Sequence, residues 1–302
     1  KANQLERARQ LYLKVIEQEP NHARAIQYLG VVARRQGKPR RAIELIERSL
    51  QIAPDDAGAY NNLSRAYIDA GRPGEAAEAA RHGLDLNPES AQLWNQLANA
   101  LTQRKDFRDA VEARDKAIEI APDNPEFRLS QGATLQMMGR LDDARRVYQD
   151  VVDRNPQMAR AHQNLGALLK SLGDMDAARS AYLRAVDIEP DMTGAWRALA
   201  DMRKYASADD ADIAYMTQVH QRQYLDRSQQ ANICFALGKA YDDLEDYDTA
   251  FAYYAEGNAA QRKQVKPNMD RQVGELRRFR RSIDASLIAR WRSAGDPDPT
   301  PI

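Results

Sequence analysis

Cysteine is almost missing from this chain: its 302 residues contain one, Cys234. A lone thiol cannot close an internal disulfide, which excludes a disulfide-stapled scaffold and points to a reducing, cytoplasmic compartment. Net charge is missing too. The 44 basic side chains balance 44 acidic ones, so no global field favours nucleic acid or an anionic membrane. No stretch approaches the ~20 apolar residues of a membrane-spanning helix. Catalytic signatures are lacking as well: there is no Gly-x-x-x-x-Gly-Lys loop, no Gly-x-Gly-x-x-Gly and no Gly-x-Ser-x-Gly elbow. The four histidines (His22, His82, His162 and His220) stand apart without ligand spacing, so neither a catalytic residue nor a metal site is read here.

What the chain does have is a register. Pro20, Pro54, Pro88, Pro122, Pro156 and Pro190 follow one another at intervals of 34 residues. That period is the length of a helix–turn–helix unit stacked on copies of itself. Proline lacks an amide donor and disfavours helix in the residue before it, so each one marks where a unit's second helix stops.

Let each unit begin three residues after its proline, at Ala23, Ala57, Ala91, Pro125, Ala159 and Thr193. The fourth position is then Ile26, Tyr60, Trp94, Arg128, His162 and Trp196, and the seventh is Leu in all but the unit carrying Gln131. The eighth is small throughout: Gly30, Ser64, Ala98, Gly132, Gly166 and Ala200. These positions share one helical face, with the small residue where a neighbouring helix comes closest. A second helix carries Ala42, Ala76, Ala110, Ala144 and Ala178 at the twentieth position. Four residues on come Ile46, Ala80, Arg114, Tyr148 and Tyr182, again on one face. On this register His162 and Cys234 are packed core residues rather than reactive groups. Trp94, Trp196 and Tyr60 belong to the core stripe rather than to a stacking site.

The pattern resembles the tetratricopeptide repeat family over residues 23–200. The resemblance implies an all-α, right-handed superhelical solenoid of about six to seven repeats and roughly thirteen helices. On it, residues 1–22 read as the second half of an earlier repeat and 23–226 as the solenoid, its last unit degenerate where Asp212 replaces the expected alanine. A terminal repeat-like unit follows at 227–266, Arg-rich capping helices at 267–294 and a Pro-rich linker at 295–302. The chain is expected to begin mid-repeat.

In this fold the first helix of each unit lines a concave side through its second, fifth, sixth, ninth and twelfth positions. The sixth position reads Asn62, Gln96, Ser130 and Asn164, with Asn61, Asn95 and Gln163 beside them. Arg65 and Asn99 at the ninth position complete the candidate groove. A carboxamide donates and accepts at once, so a row of them can pair with a peptide backbone whatever its side chains. The row resembles the asparagine ladder of O-linked N-acetylglucosamine transferases, interrupted at Tyr28, Ser130 and Ala198. The lysine–asparagine clamp of chaperone-binding repeats has no counterpart.

Three charged regions stand out. Arg34, Arg35, Lys38, Arg40 and Arg41 crowd the first repeat's turn, and Asp242, Asp243, Glu245, Asp246 and Asp248 crowd the last one's. Residues 271–292 form an amphipathic, arginine-rich stretch. The run Phe235-Ala236-Leu237-Gly238-Lys239-Ala240-Tyr241, with the exit Pro297, Pro299 and Pro301, is similar to the end of the repeat region in bacterial proteins that join such repeats to a sulfotransferase domain. That resemblance implies a natural chain continuing past Ile302 into a domain using 3'-phosphoadenylyl sulfate, with no cofactor held by these residues. The reading is therefore an interaction scaffold for a peptide or protein, recruiting substrate for a sulfotransferase. The alternatives are a stand-alone adaptor and an oligomer scaffold through the terminal helices.

Overall fold

The computed structural model describes residues 2–222 and 225–262, and everything below concerns these. The expected capping helices at 267–294, their arginine-rich stretch and the linker at 295–302 lie outside the described residues. The described chain forms fifteen α-helices and no strand, two helices more than the sequence register suggests. It divides into two compact units, one ending at Met202 and one beginning at Arg203.

The first unit opens with α1 (Ala2–Gln18), followed by antiparallel pairs that repeat in register. The pairs are α2 (Ala23–Arg35) with α3 (Pro39–Ile52), and α4 (Ala57–Asp69) with α5 (Pro73–Leu86). Next come α6 (Ala91–Arg104) with α7 (Phe107–Ile120), and α8 (Pro125–Met137) with α9 (Leu141–Arg154). The last pair is α10 (Ala159–Ser171) with α11 (Met175–Ile188), and α12 (Thr193–Asp201) closes the unit. Each second helix stops two residues short of its repeat's proline, as the missing amide requires. Four of the first helices start on side-chain caps: His22, Asp56, Ser90 and Asn124 accept from the Ala25, Ala59, Leu93 and Glu126 amides. The proline carbonyl is also used. Trp94 Nε1 donates to Pro88 O at 2.8 Å, Trp196 Nε1 to Pro190 O at 2.9 Å, and His162 Nε2 lies 3.0 Å from Pro156 O.

The turn inside each pair needs a left-handed residue. Gly37, Gly71, Gly139 and Gly173 supply it with φ between 71 and 84°. At the equivalent place the third repeat has Lys105 at φ 69°. A side chain there crowds the following carbonyl, a local strain that the glycine-bearing repeats avoid and that Glu245, at φ 63° in the second unit, shares.

The core is a column of helix crossings. All five alanines of the twentieth position are fully buried. The eighth and twenty-fourth positions are matched in size. Gly132 faces the Tyr148 ring, Gly166 the Tyr182 ring and Gly30 the Ile46 side chain. Where the eighth residue is Ser64, its partner position holds Ala80.

The second unit contains α13 (Ala211–His220), α14 (Arg227–Asp243) and α15 (Tyr247–Arg262), the last two an antiparallel pair of the same kind. Gly238 of α14 meets the Tyr254 ring of α15, repeating the size match. Asp212, the residue that breaks the alanine register, pairs with Arg203 at 2.6 Å, and Arg203 also pairs with Asp210. The Arg203 guanidinium covers the Tyr205 ring at 4.4 Å. The twentieth position of the sixth repeat is thus taken up by an ion pair within the second unit, where the earlier repeats have a buried alanine.

Candidate functional site

Along the first unit, α2, α4, α6, α8 and α10 line a groove with a cavity of about 680 Å³. Helix α6 supplies its centre: Gln92, Asn95, Gln96, Asn99, Thr102 and Gln103, all on one face because they recur every three or four residues. On one side α4 adds Asn61, Arg65, Ile68 and Asp69, and α2 adds Arg34. On the other, α8 adds Glu126, Phe127 and Ser130, and α10 adds Arg160.

Of the residues singled out from the sequence, Asn61, Arg65, Asn95, Gln96, Asn99 and Ser130 are brought together on this wall. Asn62, Gln163 and Asn164 are half-buried and lie off it. For Asn62 the difference is rotational: the wall follows the second, fifth, ninth and twelfth positions, and a residue one step further on turns by about 100° around the helix. Gln163 stands at the fifth position like Asn61 and Asn95, but the cavity reaches α10 only at Arg160, so Gln163 and Asn164 lie beyond its end. Gln96 still reaches the cavity from the sixth position, although it is only 8% exposed.

Two ion pairs brace the groove across repeats. Arg34 Nη1 meets Asp69 Oδ2 at 2.8 Å, and Arg160 Nη1 meets Glu126 Oε2 at 2.7 Å. Arg65 has no such partner among the described residues. Desolvation along the wall, then the Arg34 charge, lower its pKa from the ordinary arginine value. The Asn61 carboxamide oxygen is buried without a hydrogen-bond partner among the described residues.

Beneath α6 lies a residue whose environment the sequence did not reveal. Arg114 of α7, at the position filled elsewhere by Ile46, Ala80, Tyr148 and Tyr182, is 1% exposed. Its Nη1 donates to Asn95 Oδ1 at 2.5 Å and its Nη2 to Asn99 Oδ1 at 3.1 Å, while Nε has no partner. No carboxylate pairs with it among the described residues. Burial pulls its pKa down to about 10. The only sequence signal was a charged residue on an apolar stripe.

The second unit holds another grouping that spacing alone could not show. His220, Cys234 and Glu256, from α13, α14 and α15, bring one ligand-type atom each within 4.8 Å of one another. His220 Nε2 lies 2.9 Å from Glu256 Oε1, Gln230 Nε2 donates to the same oxygen at 2.8 Å, and Cys234 hydrogen-bonds to Glu256 as well. Burial, then the Glu256 charge, pushes the Cys234 thiol up to about 12. A thiol held protonated makes a poor nucleophile, so this grouping is a hydrogen-bonded knot on one carboxylate.

Three tetratricopeptide repeat models match the sequence, over residues 2–157, 130–193 and 231–263. Among solved structures, yeast Tom70 aligns with a TM-score of 0.68 at 14% identity, over 97% of this chain and 62% of that one. A thermophilic TPR protein of Thermus thermophilus aligns with a TM-score of 0.53 at 20% identity, over 60% of this chain and 98% of that one. At these identities the likeness is one of fold. No curated protein sequence matches the chain significantly. No helix among the described residues is long and apolar enough to cross a membrane.

Proposed function

The chain belongs to the tetratricopeptide repeat family, and on that premise we propose that it is an interaction scaffold holding an extended peptide or protein segment in the groove of α2, α4, α6, α8 and α10. The observation that carries this reading is the groove wall itself. Five successive first helices place carboxamides, a hydroxyl and guanidinium groups on one continuous surface at the repeat spacing. Such groups pair with backbone amides and carbonyls, which every peptide offers. Each bond contributes a net ~0.5–1.5 kcal/mol, so affinity requires several of them in one extended segment. The proposed contacts are Asn61, Arg65, Asn95, Gln96, Asn99 and Ser130.

The test starts from peptides selected on the chain from a random display library. Asn61→Ala and Gln96→Ala should each weaken the best binder a few-fold, corresponding to about 0.5–1.5 kcal/mol. Asn164→Ala, off the wall, should leave it unchanged. A library yielding no binder, or binders indifferent to Asn61 and Gln96, would contradict the reading.

Its finer form is that the scaffold recruits substrate for a sulfotransferase domain further along the same natural chain, in a reducing, cytoplasmic compartment. The support is the sequence run at 235–241 and the prolines after Gly295. Reading the natural gene beyond Ile302 tests it: a strand followed by a Pro-Arg-Ser-Gly loop supports the reading, and an unrelated domain defeats it. A second copy bound through the terminal helices is the remaining alternative, which light scattering decides.

A further inference from the structure

The groove's centre is built for negative charge, and the reason lies one layer below its surface. Arginine can only donate hydrogen bonds, so Asn95 and Asn99 must turn their oxygens inward to Arg114. The amino end of each carboxamide then faces away from the guanidinium. At α6 the wall therefore offers donors, backed by a fixed positive charge. This departs from the indifferent donor–acceptor ladder expected of a plain asparagine row.

That charge is uncompensated. Arg114 is 1% exposed, has no carboxylate partner among the described residues and leaves its Nε unpaired. A hydrophobic side chain of similar volume would pack the same site without the desolvation cost, as Ile46 and Tyr148 do in their own repeats. Around it, Arg34 and Arg160 each pair with one carboxylate, Asp69 and Glu126, whereas Arg65 makes no ion pair among the described residues and, of the carboxylates, feels only the charge of Asp69. The cavity and the buried residue behind it thus carry four guanidinium groups against two carboxylates.

We propose that the groove selects an acidic peptide, an extended segment whose Asp or Glu side chains sit over the Asn95–Asn99 amides above Arg114 and beside Arg65. This rests on the peptide-holding function proposed above and names its ligand class. The guanidinium groups come from different repeats, with Arg65 on α4 and Arg114 beneath α6. The groups that face the ligand, Arg65 and the Asn95–Asn99 amides, stand on two successive first helices, so carboxylates spaced along an extended segment are the occupant that fits. Arg114 acts here as a positioning residue: it orients two amides and sets their potential without touching the ligand.

The experiment uses fluorescein-labelled eight-residue oligoglutamate, oligoglutamine and oligolysine, titrated by anisotropy into the whole chain. Oligoglutamate should bind tightest and weaken steeply with salt, because screening shortens from about 10 Å at 0.1 M to about 3 Å at 1 M. Arg114→Met should weaken it roughly tenfold, as expected for a charge-assisted bond. The same variant should leave oligoglutamine binding within about twofold, a split that mere loss of packing would not produce. Arg146→Ala, exposed on α9 outside the groove, should change neither. Oligoglutamine binding as well as oligoglutamate, or oligoglutamate binding indifferent to Arg114→Met, overturns the acidic preference and leaves the peptide groove standing. Failure of all three peptides together with an empty display selection overturns the groove itself. A single-stranded oligonucleotide displacing oligoglutamate with higher affinity replaces the peptide by another polyanion and overturns the proposal.

Discussion

Gly132→Ala is the substitution that most sharply probes how these helices cross. A Cβ added at Gly132 would lie 2.4 Å from Tyr148 Cε1 and 2.7 Å from Cδ1. These atoms belong to a rigid ring that is 2% exposed, so it cannot swing aside without moving its neighbours. Two effects compete. Alanine gains about 1 kcal/mol of helix propensity over glycine, and overpacking a tight crossing costs ~1–3 kcal/mol. The clash wins, and the variant should lose about 1 kcal/mol, lowering the thermal midpoint by roughly 2–4 °C at this chain size. Gly166→Ala provides the comparison: its Cβ would meet the Tyr182 ring at 3.1–3.2 Å, which a shift of a few tenths of an ångström relieves. There propensity should prevail, leaving stability unchanged or raised. In a Tyr148→Ala background, Gly132→Ala should become stabilising by about 1 kcal/mol, because only the propensity difference remains. Urea unfolding of the parent and these four variants, followed by circular dichroism, measures this. If Gly132→Ala stabilised the parent as much as the Tyr148→Ala background, the size-matching argument would be wrong.

Two further expectations follow from backbone and burial. Lys105→Gly removes a side chain from a left-handed turn and should stabilise the first unit by ~1 kcal/mol, read as a higher urea midpoint with an unchanged slope. Burial pushes the Tyr148 hydroxyl up to about 12 from an unfolded value near 10.0. The folded state therefore holds that proton longer than the unfolded one. Its contribution is complete below about pH 10 and is lost as pH rises towards about 12, a fall of roughly 2–3 kcal/mol. Tyr67 is raised to about 12 in the same unit, so Tyr148→Phe should make that alkaline limb shallower without abolishing it, and an identical limb in both chains would show that Tyr148 does not contribute.

The fold was legible because its information is local and repeated. The prolines from Pro20 to Pro190 and the alanines from Ala42 to Ala178 set the same boundaries six and five times over, so one irregular unit cannot hide the register. The groove was legible in part. Its helices and face follow from the repeat, which placed Asn61, Arg65, Asn95, Gln96, Asn99 and Ser130 together. A helical wheel gives the face but not the cavity's extent, which ends at Arg160 short of Gln163 and Asn164, nor which of the neighbours Asn61 and Asn62 lines it. Arg114 was out of reach for a different reason. Its partners Asn95 and Asn99 lie on the other helix of the pair, and sequence does not say that a charge on an apolar stripe stays buried. The meeting of His220, Cys234 and Glu256 spans three helices and 36 residues, so no spacing rule could suggest it. Lys105 was a missed signal, since it occupies the place of four turn glycines at the repeat period.

The central claim is that α4, α6 and α8 form the face that holds a peptide. Amide hydrogen exchange with and without a selected acidic peptide tests it most directly, because protection maps the contact onto individual helices. The account predicts slowed exchange concentrated in residues 57–69, 91–104 and 125–137, with α5, α7 and α9 unchanged. Protection falling on α5, α7 and α9, or on the unit that begins at Arg203, would place the ligand elsewhere and contradict the account.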